Sequence, residues 1–171
     1  MRNKYTRSRK ALSVAALLAK SHELSGEWVI VSPVHWEAGH QDAVMTSRES
    51  ATREQFDAFQ AFVAEVGMEL YYHDAETWLL NAKTVSLPDM PPLETVLNIS
   101  MRPLLENLRK QPDWLRFLTE AQMFLSAYQM AHPDKTVING VWLWGAIPDD
   151  VSQKITFWSR WKRLFWKKYE N

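Results

Sequence analysis

The sequence predicts an α+β fold: a single mixed β-sheet of about four or five strands flanked by helices, with a basic amphipathic helix at the C-terminus. Three observations carry this. Residues 137–145 (VINGVWLWG) run without a charge and are apolar in both alternating sets, the pattern of a strand covered on both faces in the middle of a sheet. Residues 50–66 and 112–130 space their apolar side chains three and four apart, as helices with one buried face do. Residues 27–32, 68–72 and 77–80 are rich in β-branched and aromatic side chains, which suit strands.

In chain order, residues 8–21 form the first helix, closed by Gly26. Residues 27–32 (EWVIVS) form a strand that Pro33 halts by removing a ladder donor. Residues 34–45, polar and with one glycine, read as a loop. The second helix follows Ser50-Ala51-Thr52, puts Phe56, Phe59, Phe62, Val63 and Val66 on one face, and ends at Gly67 in a C-cap position. Residues 68–72 and 77–80 then make a hairpin across His73-Asp74-Ala75-Glu76. Three prolines make residues 85–92 a non-helical crossover, and residues 93–109 are helical in parts, with Pro103 opening a second piece. The long helix from Pro112 carries Trp114, Phe117, Leu118, Ala121, Leu125 and Tyr128, and stops at His132-Pro133-Asp134. The last helix spans residues 151–169. The domains expected are a basic helical arm (1–26), an α+β core (27–147) and a basic aromatic helix (148–171).

A chain of 171 residues fits one domain, and 46% apolar with 23% charged residues excludes a disordered one. With no cysteine, disulfides, zinc–thiolate sites and iron–sulfur clusters are excluded, in keeping with a reducing, cytoplasmic setting. The net charge of zero hides a segregation. Residues 1–20 hold six basic groups and no acid, and residues 151–171 hold six against Glu170 alone. That leaves 8 basic and 19 acidic residues between them, a balance of −11. Basic ends on an acidic body either fold back on it or meet an anionic partner. Residues 11–19 (ALSVAALLA) imitate a signal-peptide core, but Ser21-His22-Glu23 makes a poor cleavage site, so a buried or amphipathic helix is expected.

His35 and His40 share a loop with Asp42, and His73-Asp74 tops the hairpin; two histidines and a carboxylate from neighbouring loops can bind a metal or move protons. His-x4-His on a loop is not a metal signature, and no metal or cofactor is expected. Glu120 lies beside the apolar stripe of the long helix, where a partly buried carboxylate needs partners. Asn139 is polar where burial is expected, so its amide must be hydrogen-bonded, to a neighbouring loop or to a ligand. No nucleophile elbow, phosphate loop or dinucleotide fingerprint occurs. In the last helix Trp158, Trp161, Phe165 and Tyr169 form a stripe flanked by Arg160, Lys162, Arg163, Lys167 and Lys168. This composition suits core packing, a partner protein or an anionic membrane surface. Nucleic acid is not an expected partner, since no reading motif is present.

Three blocks in order resemble a bacterial family of RpfE-type regulatory, or cofactor-independent phosphoglycerate mutase-like, proteins. They are Ser32-Pro33-Val34-His35-Trp36 with Gly39 and Asp42, then Glu120-Ala121-Gln122-Met123, then residues 137–145. The stretches 67–72 and 77–79 are also similar, so the resemblance spans about residues 28–145. It implies a regulatory role, while the ligand-binding candidates remain His35, Trp36, His40, Asp42, Glu120 and Asn139. The last block is similar to archaeal-type phosphoglycerate mutases too. Their serine nucleophile and paired metals have no counterpart set here, so a non-catalytic portion is implied. The chain departs from the family where residues 126–135 lack an Asn and an Arg, and where Ala146-Ile147-Pro148 replaces a glycine-rich stretch.

The function expected is therefore a non-catalytic, cytoplasmic regulatory or interaction protein. One alternative is a small phosphate- or sugar-phosphate-binding enzyme with its pocket near His35, His40, Asp42, Glu120 and Asn139. A second is a peripheral membrane protein attached through the last helix.

Overall fold

The sheet is organised around one long strand. In a computed structural model, which describes residues 13–39, 42–83 and 85–146, the elements run α1 (Val14–Ser21), β1 (Val29–Ala38), β2 (Ala43–Arg48), α2 (Arg53–Glu65), β3 (Glu69–Tyr72), β4 (Trp78–Asn81), a 3-10 turn (Leu93–Thr95), α3 (Arg102–Leu108), α4 (Pro112–Ala131) and β5 (Gly140–Trp144). The first expected helix begins before residue 13 and the last spans 151–169, so part of the one and all of the other lie outside the described residues.

The α+β class is borne out, with five strands in one sheet. Every described pairing is antiparallel, however, where a mixed sheet was expected. Only four residues separate β1 from β2 and five separate β3 from β4, too few for the crossover that a parallel pair requires.

Pro33 does not halt β1. In an antiparallel strand the N–H and C=O of one residue point to the same edge. The Pro33 carbonyl accepts from the Glu49 N–H at 2.9 Å. Its missing N–H therefore faces the gap between the stretch paired with β4 (Val29, Ile30 and Val31) and the stretch paired with β2, which starts at Val34. The proline thus sits at the end of the β2 ladder, keeps the bond from Glu49 and forgoes only its reciprocal. The expected loop of residues 34–45 is instead the second half of β1 and the start of β2. Its polar composition reflects exposure, since Glu37 and Ala38 reach solvent.

The tryptophan strand is also displaced from its expected place. β5 starts at Gly140, leaves Val137 exposed, and among the described residues pairs with β1 alone. The middle of the sheet belongs to β1. Val141, Trp142 and Leu143 are buried nonetheless, because α4 and the 3-10 turn pack on the strand. Layering, not sheet position, explains the charge-free run.

Helices cover both faces of the sheet. Phe56 and Phe59 of α2 pack edge-on and tilted against Trp78, at 5.4 and 5.5 Å between ring centroids. Trp114, Phe117, Ala121 and Leu125 of α4 complete that large core. On the opposite face Ala15 and Ala19 of α1 lie over Trp28, Ile30 and Leu79. α2 starts with a capping box, Thr52 accepting from the Gln55 N–H while Gln55 accepts from the Thr52 N–H. Gly67 adopts a φ of +81° just past that helix, as its C-cap position requires. At the end of α1 the left-handed residue is Glu23 (φ 58°), three positions before the expected Gly26. The Glu23 and Leu24 N–H groups donate back to the carbonyls of Lys20 and Ala19, a Schellman ending without its usual glycine. No described helix is long and apolar enough to cross a membrane.

Candidate functional site

Three of the expected ligand-binding residues meet beside the middle of β1. The β1–β2 register slips between His35 and Trp36, so the ladder is irregular there. Asn139, just before β5, extends the β5 edge of β1 past its last ladder pair, Val34 with Gly140. Its Oδ1 accepts from the Trp36 N–H at 2.7 Å and its Nδ2 donates to the Trp36 carbonyl at 2.8 Å. The side-chain amide thus does what a residue of an adjacent strand would do. His35 Nδ1 donates to the Val137 carbonyl at 2.5 Å, which places the ring proton on that nitrogen. The Trp36 indole lies against Gly140, where an added Cβ would collide with the ring, and 6.5 Å from the Trp142 ring. Each polar contact in this group ties chain to chain.

The other candidates sit elsewhere. Asp42 opens β2 and accepts from the Ala43 N–H at 2.8 Å. The Ser100 hydroxyl above all, with the Ala43 and Arg102 N–H groups and the Arg102 charge, holds its carboxyl below the usual range against slight burial. Glu120 pairs with Arg116 one turn earlier on α4, Nε to Oε1 at 2.7 Å. Among the described residues no hydrogen bond or ion pair joins Asp42 or Glu120 to His35, Trp36 or Asn139. His40 lies outside the described residues, as do Trp158, Arg160, Trp161, Lys162, Arg163, Phe165, Lys167 and Lys168.

The structure assembles a second group, of which the sequence pointed only to His73-Asp74. His22, the C-cap of α1, places Nε2 2.7 Å from Nδ1 of His73 in the β3–β4 turn. Its other ring nitrogen lies 3.2 Å from the Tyr71 hydroxyl. Asp74 Oδ2 is 3.5 Å from His73 Nε2. The two histidines are 51 residues apart, so no local spacing could have joined them. Among the described residues no group of three His, Cys, Asp or Glu side chains is placed to hold a metal ion. A shallow groove of about 410 Å³ between α2 and β3 is lined by Asp57, Gln60, Met68, Glu69, Leu70 and Lys83. Gln60 is already tied there to the Leu70 carbonyl at 2.8 Å.

At the sheet's other pole, the Ala15 N–H donates to the Gly145 carbonyl at 3.0 Å. The last described residues at the two ends of the chain therefore lie side by side. Residues 1–12 hold five basic groups and no acid, while residues 147–171 hold six basic and three acidic groups.

No family model matches the chain, and no curated protein or solved structure matches it either.

Proposed function

We propose that this chain is a non-catalytic interaction protein, regulatory in the sense its RpfE-type resemblance implies, whose contact surface is built by its two basic ends acting together. The observation that carries this reading is the Ala15–Gly145 hydrogen bond. Two segments with eleven basic residues between them are attached at one pole of a body of opposite charge. Charges gathered at one point raise the local potential and speed encounter with an anionic partner. Trp158, Trp161 and Phe165 add apolar area between those charges, the mixture that suits an acidic protein surface or an anionic bilayer. The tie of Asn139 to the Trp36 backbone agrees with a scaffold role for the strand pair. A cytoplasmic location is part of this reading, in keeping with a chain that has no cysteine.

The test is binding of the full-length protein to polyglutamate and to phosphatidylglycerol vesicles, with phosphatidylcholine vesicles as the neutral control. Polyglutamate binding supports the protein partner, and vesicle binding supports the peripheral membrane reading. Either should weaken as salt rises and be lost when Arg160, Lys162, Arg163, Lys167 and Lys168 are changed to Glu. Binding to neither, or binding indifferent to salt and to these changes, would sink the proposal.

A further inference from the structure

The contact between His22 and His73 has a geometry that fixes how many protons it can hold. The ring centroids are 5.0 Å apart and the facing nitrogens 2.7 Å apart, so both nitrogens lie close to the line joining the rings. That is the arrangement of one N–H pointing at one lone pair. A shared metal ion would hold the nitrogens farther apart and at an angle. Asp74 only accepts, so it favours the proton of His73 on Nε2 and leaves Nδ1 as an acceptor. His22 Nε2 then donates to His73, and His22 Nδ1 accepts from the Tyr71 hydroxyl. The chain Tyr71–His22–His73–Asp74 is satisfied with both imidazoles neutral.

A first added proton is accommodated. It goes to His22 Nδ1, the Tyr71 hydroxyl turns to accept, and the cation sits at the negative end of α1. A second has only His73 Nδ1 to take, where N–H would face N–H and two cations would touch. No rotation of Tyr71 relieves that. Among the described residues, the ring nitrogens of the pair contact only each other, Tyr71 from β3 and Asp74 from the turn. Lys20 and Glu23 are the charged residues beside His22 in its own segment. Trp28, Ile30, Leu79 and Trp144, which pack around α1, do not titrate.

We propose that the His22–His73 pair is an acid-sensitive latch that fastens the C-terminal end of α1 to the β3–β4 turn and lets go when both rings are protonated. Separated rings take up two protons and the closed latch takes one. The open state therefore binds more protons, so the latch holds at neutral pH and weakens on acidification. Opening uncovers Ala19 and Trp28 and loosens the helix that bears the N-terminal basic segment. The latch does not depend on what that segment binds.

Hydrogen–deuterium exchange on the full-length protein, corrected for intrinsic rates, tests this at pH 7.5 and pH 5. Amides of residues 18–24 should lose protection by about tenfold or more while α4 keeps its own. His73→Gln keeps a hydrogen-bonding side chain without a titrating ring and should abolish that step. Equal loss in α4, no loss in α1, or a step that survives in His73→Gln overturns the latch. If the variant does not fold, imidazole NMR titration of the unaltered protein decides. Two coupled steps, the later one coinciding with loss of α1 protection, support the latch, and two independent single steps refute it.

Discussion

The face of the sheet beneath α2 and α4 is filled by Phe56, Phe59, Trp78 and Leu80, whereas the face beneath α1 receives from its helix the fully buried but small Ala15 and Ala19, with Leu18 half-buried beside them. An alanine methyl buries little area, so apart from Leu18 α1 gains little from its own side chains and mostly covers Trp28, Ile30 and Leu79, which the body supplies. Its attachment also rests on polar ties at its two ends: Ala15 to Gly145, and His22 to His73 and Tyr71. The large core is held by apolar burial, which pH barely touches. Helix α1 is held by bonds that titration and capping chemistry can alter. The comparison teaches that one face fixes the fold while the other can open locally without unfolding the rest.

The largest break of this contrast is Phe59→Ala. Phe59 is fully buried and touches Trp78, Phe62 and Phe124, so its loss should cost about 3–5 kcal/mol in urea unfolding and destabilise the whole domain. A cost under about 1 kcal/mol would mean that this core is not the main support. Next comes Asn139→Ala, which leaves the Trp36 N–H and C=O without their partner. It should cost about 1–3 kcal/mol and deprotect the second half of β1 while α1 exchange stays unchanged. Unchanged stability would return Asn139 to the role of a ligand contact. The smallest effect sharpens the α1 side. Glu23→Gly removes a side chain from a left-handed position and an acid from the negative end of a helix, and should stabilise by about 1 kcal/mol. The midpoint should rise by roughly 2–4 °C, with α1 amides gaining protection against their local opening. A fall would mean that the Glu23 side chain makes a stabilising contact of its own.

Much of the fold was legible because it rests on local periodicity. The Phe56–Phe59–Val63 stripe, the Thr52 start, the Gly67 stop and the β3–β4 hairpin residues Leu70 and Leu80 can each be read from neighbours within a few positions. The strand through Pro33 could not be. Whether a proline breaks a ladder depends on which edge its nitrogen faces, and a partner's register decides that. The charge-free run of 137–145 revealed burial correctly for Trp142 but could not say whether strands or helices provide it. Of the candidate site, His35, Trp36 and Asn139 do come together, yet as a tie between β1 and the segment that leads into β5. Sequence specifies a polar atom's need for a partner without naming the partner.

By itself the sequence determined the α+β class, the helical faces and the segregation of charge to the two ends, because propensity, periodicity and charge are properties of neighbouring residues. Only the tertiary structure decided that β1 is the hub, that Asn139 is bonded to Trp36, that His22 meets His73, and that Ala15 meets Gly145. Those contacts join residues far apart in the chain, and it is the closing of the sheet and its two helical layers that brings them within a hydrogen bond of one another.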